Sequence, residues 1–289
     1  MPAAPFDRAG YSLVPLANGT QAVYSSSYDE KMHPGLGPQA EADLLYVRQL
    51  RIPERLREGA GEFVIWDVGL GAAANAAAAL RAGRDVPRVL RVVSFDDTDE
   101  PLRFALQNAA ALGYPAGYEP QIEELLRSRR VQFPNGRQPV DWEFHLGDFP
   151  ALIANAAVRL PAPDAIFFDA FSPAKNPAMW TLSVFRALFG RLDPRRPCSL
   201  TTYSRSTMLR ATLLLAGFYV GTGLATGRKE ETTVAANALE LLEQPLERRW
   251  LERASRSGSA EPLTEAGYRQ APLSPGNLEK LHAHPQFAG

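Results

Sequence analysis

The chain has one cysteine and four histidines among 289 residues, and each shortage narrows what it can do. A lone Cys198 closes no internal disulfide, and its place in an apolar, strand-like run reads as a buried structural thiol rather than a nucleophile. Four histidines without ligand spacing argue against a structural zinc site. No apolar run approaches the roughly 20 residues that cross a bilayer. The start, Met1-Pro2-Ala3-Ala4-Pro5-Phe6-Asp7-Arg8, has neither the basic nor the apolar region of a signal peptide, so the expectation is a cytoplasmic protein. Excess charge is also missing. Lys plus Arg number 31 against 32 Asp plus Glu, a net −1, so no global basic field attracts a polyanion and any nucleic-acid contact must be local. Finally, Trp66-Asp67-Val68-Gly69-Leu70-Gly71 runs into Ala72, Ala73, Ala74 and Asn75 without the third glycine of a dinucleotide fingerprint.

What the chain does have is alternation. Strand-like runs occur at 63–68, 89–95, 142–146, 165–169, 198–203 and 218–221, and helical patterns at 72–81, 100–112, 150–160, 178–191 and 205–216. Strand and helix in turn predict a parallel sheet with helices on both faces. A last strand at 232–236 follows the sixth too closely for a helix and is expected to pair antiparallel. Seven strands ending this way resemble the class I, Rossmann-like methyltransferase sheet. The expected organisation is an N-terminal segment over 1–60, a main domain over 61–237 interrupted by an insertion at 113–141 with its own helix near 119–130, and an extension over 238–289. In the first segment turn residues dominate up to a helix near 39–50, and the extension should carry a charged helix near 238–254.

The stretch from Asp164 to Trp180 is the most informative. Ile166, Phe167 and Phe168 form the continuous apolar run of a strand buried on both faces, and Asp169 ends it, where ligands bind in open α/β sheets. Pro173 and Pro177 stiffen the loop around Lys175 and Asn176. Three more carboxylates end strands in order. Asp67 precedes the Gly69 and Gly71 turn, Asp96 is placed for a ribose diol, and Asp148 beside Phe149 can accept from an adenine amino group while the ring offers its face. Any one of them also reads as a helix N-cap, but four in succession favour a ligand site.

Taken together, several runs resemble the methyltransferase component of the bacterial wobble-uridine enzyme family MnmC over about 19–237. They are Tyr28-Asp29-Glu30-Lys31-Met32-His33 with Gly37-Pro38 and Glu41, Asp67-Val68-Gly69-Leu70-Gly71, Asp169-Ala170-Phe171-Ser172-Pro173-Ala174-Lys175-Asn176-Pro177 with Trp180, Thr202-Tyr203-Ser204, and Gly227-Arg228-Lys229-Glu230. The sequence departs from the family pattern at Asp29, where Tyr-Gly-Glu is usual, and at Ala72 and Ala73, where a glycine and a bulky residue are. The resemblance implies S-adenosyl-L-methionine as methyl donor, with Asn75 joining the cofactor contacts. It implies as acceptor the 5-aminomethyl group of a wobble uridine in the tRNA anticodon, plain or 2-thiolated. The implied catalytic residues are Asp169 and Glu30. Acceptor contacts are assigned to His33, Phe171, Lys175, Asn176, Tyr203, Ser204 and Lys229, and no metal is expected.

The competing expectations are a small-amine N-methyltransferase, an aminopropyltransferase using a related sulfonium, and a non-catalytic protein that binds S-adenosyl-L-methionine. Because no second Gly-rich strand-turn-helix follows Asn237, the flavin oxidoreductase fused behind this module in bifunctional relatives is expected to be absent, its aminomethyl product then coming from other enzymes.

Overall fold

The structure, a computed structural model, describes residues 10–226 and 230–287. The start at Met1–Arg8, the Gly227-Arg228-Lys229 part of the last motif and the acceptor assignment of Lys229 lie outside the described residues.

Ahead of the main sheet, Tyr11–Pro15 (β1), Gln21–Ser25 (β2) and Glu30–Lys31 (β3) form a small antiparallel sheet where the sequence predicted turns. Its strands are short and half-buried, and the polar loop joining β1 to β2 passes through Gly19 at φ 83°, so turn residues outnumber apolar ones.

Next come Phe63–Val68 (β4), Leu90–Asp96 (β5), Arg130–Asn135 (β6), Gln138–Leu146 (β7), Ala165–Phe168 (β8), Ser199–Thr202 (β9), Tyr219–Gly223 (β10) and Thr232–Ala236 (β11). They make one sheet in the order β10-β11-β9-β8-β4-β5-β7-β6. The strands β7, β5, β4, β8 and β9 are parallel, and β11 runs antiparallel between β9 and β10, as the short connection requires. Eight strands replace the expected seven. The extra one, β6, lies inside the insertion and pairs antiparallel with a lengthened β7 at the sheet edge; Pro134 sits there because an edge strand tolerates a missing donor.

Every residue of β4 and β8 is buried, since helices cover both faces. One face packs Tyr46, Leu80, Leu102 and Leu125 against the sheet, the other Trp180, Phe185, Leu209, Leu213 and Trp250. Several helices differ from expectation. The pattern at 39–50 divides into an α-helical Pro38–Ala42 and a π-helical Asp43–Arg48. That at 150–160 stops at Ala154, where Arg191 donates to the Ile153 and Val158 carbonyls and holds the chain in a turn. The 178–191 pattern becomes a 3-10 turn at Pro177–Trp180 and a helix at Leu182–Phe189, whose N-cap Thr181 accepts from the Val184 N–H. Of 238–254, only Leu239–Leu241 and Arg248–Ala254 are helical.

The C-terminal extension packs Trp250, Leu251, Leu281 and Phe287 onto the second face. Gln286 clamps the outer edge of β10, accepting from the Val220 N–H at 2.7 Å while its amide donates to the Val220 and Leu246 carbonyls. A sheet edge is thereby covered. Among the described residues no helix is long and apolar enough to cross a membrane.

Candidate active site

The carboxyl ends of β4, β5, β7 and β8 open on one cavity of about 240 Å³, closed from the other side by β3 and the loop after it. Gly69 and Gly71 form its floor with φ of 89° and 51°. A Cβ on Gly69 would stand 2.8 Å from the Asp169 carbonyl oxygen, so only glycine lets the two loops touch. At the end of β5, Asp96 accepts the Gly71 N–H at 2.8 Å and the Thr98 N–H at 3.3 Å. Burial lifts its pKa to about 7 against the Gly71 hydrogen bond, with Asp97 adding to the rise. Asp148 is exposed, makes no side-chain cap bond to the helix it precedes, and lines the cavity beside the buried Phe149. Asp67 is fully buried and does not line the cavity. Burial pushes its pKa up to about 8 although Ser94 donates to Oδ2 at 3.0 Å, and Oδ1 has no hydrogen-bond partner among the described residues.

At the other end stands Asp169. Asn75 donates to its Oδ2 at 2.8 Å, His33 Nε2 lies 3.0 Å from the same oxygen, and the Asn75 carbonyl oxygen is 3.3 Å from that Nε2. Burial alone would depress the His33 pKa, but the Asp169 carboxylate outweighs it and carries the value up to about 9. Burial and then the charge of Asp169 raise the Tyr46 hydroxyl pKa well above its ordinary value, and the hydroxyl makes no well-formed hydrogen bond among the described residues.

The Asp169 loop is tied down at four places, three of them to the N-terminal sheet and its turns. Glu30 accepts the Ser172 N–H at 3.1 Å, Asp29 pairs with Lys175 at 3.2 Å, Tyr28 stacks on Phe171 with centroids 4.1 Å apart, and the Tyr203 hydroxyl donates to the Ala170 carbonyl at 3.0 Å from β9. Asp29 has φ 48°, the left-handed conformation for which a glycine is usual; aspartate tolerates it, and the Tyr24 hydroxyl donates to its side chain at 2.8 Å. The turn survives the departure from the family pattern. Ala73, after the Gly69 and Gly71 turn, also sits in the left-handed region at φ 63°.

The cavity thus gathers Glu30, His33, Gly69, Gly71, Asp96, Asp148, Phe149, Asp169, Phe171, Asn176 and Tyr203 from the sequence reading. Four assigned residues do not line it. Asp67 and Asn75 lie behind the wall, Lys175 is turned to Asp29, and the Ser204 hydroxyl accepts the Ser206 N–H. It also holds residues the sequence reading did not assign to the site: Tyr11, Tyr28, Glu41 and Asp97. Tyr28 and Glu41 stood in quoted motifs; Tyr28 is held inward by its stack on Phe171, and Glu41, on Pro38–Ala42, accepts the Gly35 and Leu36 N–H groups. Six carboxylates, Glu30, Glu41, Asp96, Asp97, Asp148 and Asp169, face the cavity against Lys31 and His33. Such a lining suits a cation.

Residues 119–238 match the family model described as S-adenosyl-L-methionine-dependent methyltransferase. The bifunctional protein MnmC of Ralstonia nicotianae, named for tRNA 5-methylaminomethyl-2-thiouridine biosynthesis, is 31% identical over 222 residues, 74% of this chain and 32% of that protein. The protein of the same name from Methylibium petroleiphilum is 32% identical over 77% of this chain and 33% of its own length. The chain therefore spans about a third of the curated relatives it matches. Among solved structures, MNMC2 from Aquifex aeolicus superposes with a TM-score of 0.69 and 26% identity, covering 96% of this chain and 84% of that one.

Proposed function

We propose that this chain, which matches the S-adenosyl-L-methionine-dependent methyltransferase model over 119–238, methylates the 5-aminomethyl nitrogen of a tRNA wobble uridine, plain or 2-thiolated. The observation that carries the reading is the acidic cavity lined by Asp169, whose backbone lies against the glycine floor and whose loop is met by the N-terminal sheet. The cradle fits the cofactor. Gly69 and Gly71 let a ligand approach the backbone, Asp96 is oriented by the Gly71 N–H for a ribose, and Asp148 with Phe149 offers an acceptor and a ring to an adenine. Asp67 and Asn75 serve it indirectly, the first through the loop it precedes and the second by holding Asp169.

S-adenosyl-L-methionine supplies a methyl group on a sulfonium sulfur. As the methyl moves, positive charge appears on the acceptor nitrogen, and a carboxylate beside that nitrogen stabilises the transition state more than the neutral amine. Asp169 is that carboxylate. Glu30, held by the Ser172 N–H, adds a second negative group, while Phe171, Asn176 and Tyr203 wall the acceptor base. Lys175, at the rim, can exchange Asp29 for a tRNA phosphate.

A cavity lined by six carboxylates should refuse a carboxymethylaminomethyl side chain, whose own carboxylate would meet like charge. Two tRNA preparations test the proposal, one with the aminomethyl and one with the carboxymethylaminomethyl uridine, each incubated with methyl-labelled S-adenosyl-L-methionine. Label is expected in the first alone. Label only in the second would overturn it.

A further inference from the structure

His33 has no chemical part in the reaction as described so far, yet its setting is built. It stands at φ 53°, a conformation rare outside glycine, and such strain concentrates where a side chain must be aimed. Its Nε2 faces two acceptors, the Asp169 carboxylate at 3.0 Å and the Asn75 carbonyl oxygen at 3.3 Å. The Asn75 orientation is fixed, because its amide group donates to the same Asp169 oxygen at 2.8 Å. Two acceptors require a proton on Nε2 in either charge state of the ring. The neutral ring therefore keeps its lone pair on Nδ1, to which no described residue is bonded, and the residue lines the cavity.

We propose that His33 is the base that takes the proton from the substrate ammonium, with Nδ1 as the accepting atom. This rests on the reading of the site as an amine N-methyltransferase. The ammonium N–H bond breaks with its electron pair left on nitrogen, and the proton forms a new bond at Nδ1. The freed lone pair then bonds to the methyl carbon while the carbon–sulfur bond breaks, its pair going to sulfur. One proton per turnover passes from His33 to water. Asp169 stabilises the imidazolium through Nε2, as a carboxylate does in a hydrolase triad, and stabilises the methylated nitrogen as well.

The charged and titratable groups around His33 are Asp169, Glu41 on Pro38–Ala42, Glu30 and Lys31 on β3, and the buried Asp67, with Tyr46 and Tyr203 against Asp169. The Asp169 and Glu41 carboxylates favour the protonated His33 ring. An arriving sulfonium and ammonium compete for the same carboxylates and favour the neutral ring. Occupancy thus prepares the base.

The test uses the full chain in single turnover on aminomethyl tRNA between pH 6 and pH 10. His33→Gln should be ~10²-fold slower at pH 7, the lower end of what a positioned base supplies. Its deficit should shrink as pH rises and the amine loses its proton unaided. An unchanged rate at pH 7, or the same loss at every pH, would overturn the proposal, the second outcome meaning a structural role. If that variant does not fold, Asn75→Ala removes one acceptor and should lower the rate with KM unchanged; an unaltered rate counts against the proposal. Nitrogen-15 spectra of the parent with S-adenosylhomocysteine give a readout that needs no turnover. They should show His33 protonated on Nε2 at every pH, with only Nδ1 titrating. A proton lodged on Nδ1 of the neutral ring would contradict the assignment even if transfer occurs, whereas a parent with the expected spectrum and no transfer of label would count against the methyltransferase reading itself.

Discussion

Asp169→Asn is expected to slow methyl transfer in a single turnover by ~10²–10³ while cofactor affinity falls far less. The size follows from electrostatics: at an effective dielectric near 20, unit charges about 4 Å apart interact by roughly 4 kcal/mol, worth about 10³ in rate if the charge were fully developed. Only part has developed at the transition state. Asparagine keeps the shape but not the charge, and it also deprives the His33 imidazolium of its partner 3.0 Å away. Loss in the chemical step with little loss in binding is the signature of an interaction made mainly in the transition state. Rapid-quench measurement of labelled tRNA, beside calorimetry with the cofactor, separates the two. An unaltered single-turnover rate would remove Asp169 from the mechanism.

Gly69→Ala should be the most damaging change of a single methyl group. The position has φ 89°, and an added Cβ would meet the Asp169 carbonyl oxygen at 2.8 Å, its carbon at 2.9 Å and the Ala170 nitrogen at 3.1 Å. All three are backbone atoms, so relief requires the Asp169 loop to move as a whole. The expected cost is about 2–3 kcal/mol in stability, the scale of a left-handed residue held against steric opposition, with cofactor binding lost. Gly61→Ala is the control, because φ there is 71° with nothing within 4 Å of the new atom. Its penalty is conformational only, about 1 kcal/mol. Chemical denaturation of both variants checks the difference; equal midpoints would show that the close approach of the two loops does not matter.

The parts of the fold legible in the sequence were those dominated by burial. The run 165–168 is apolar throughout, and 63–68 is apolar but for Asp67, because both faces of the sheet are covered. The antiparallel placement of β11 was legible from its short connection to β10. What escaped was made of short or half-exposed elements. In β1 to β3 the stabilising contacts come from pairing and from Tyr11 and Val23 packing on a core far away in sequence, so no local pattern announces them. β6 is an edge strand with alternating exposed residues and a proline, the composition of a loop. The site divides in the same way. Asp96, Asp148 and Asp169 were legible because each ends a strand, and strand ends converge. Asp67 also ends a strand, yet its side chain falls on the buried side and touches Ser94 rather than the cavity. Ser204 points back to its own turn. Tyr28 enters the cavity by stacking on Phe171 of the Asp169 loop, a long-range contact that spacing does not encode.

The central claim, that this chain places the methyl group on a wobble aminomethyl nitrogen, is tested most directly by mass spectrometry of anticodon nucleosides from cells with and without it. Without it, 5-aminomethyluridine or its 2-thio form should accumulate and the methylaminomethyl form disappear. Restoring the parent chain should reverse both changes, and restoring Asp169→Asn should not. Identical wobble nucleosides in the two strains would contradict the account.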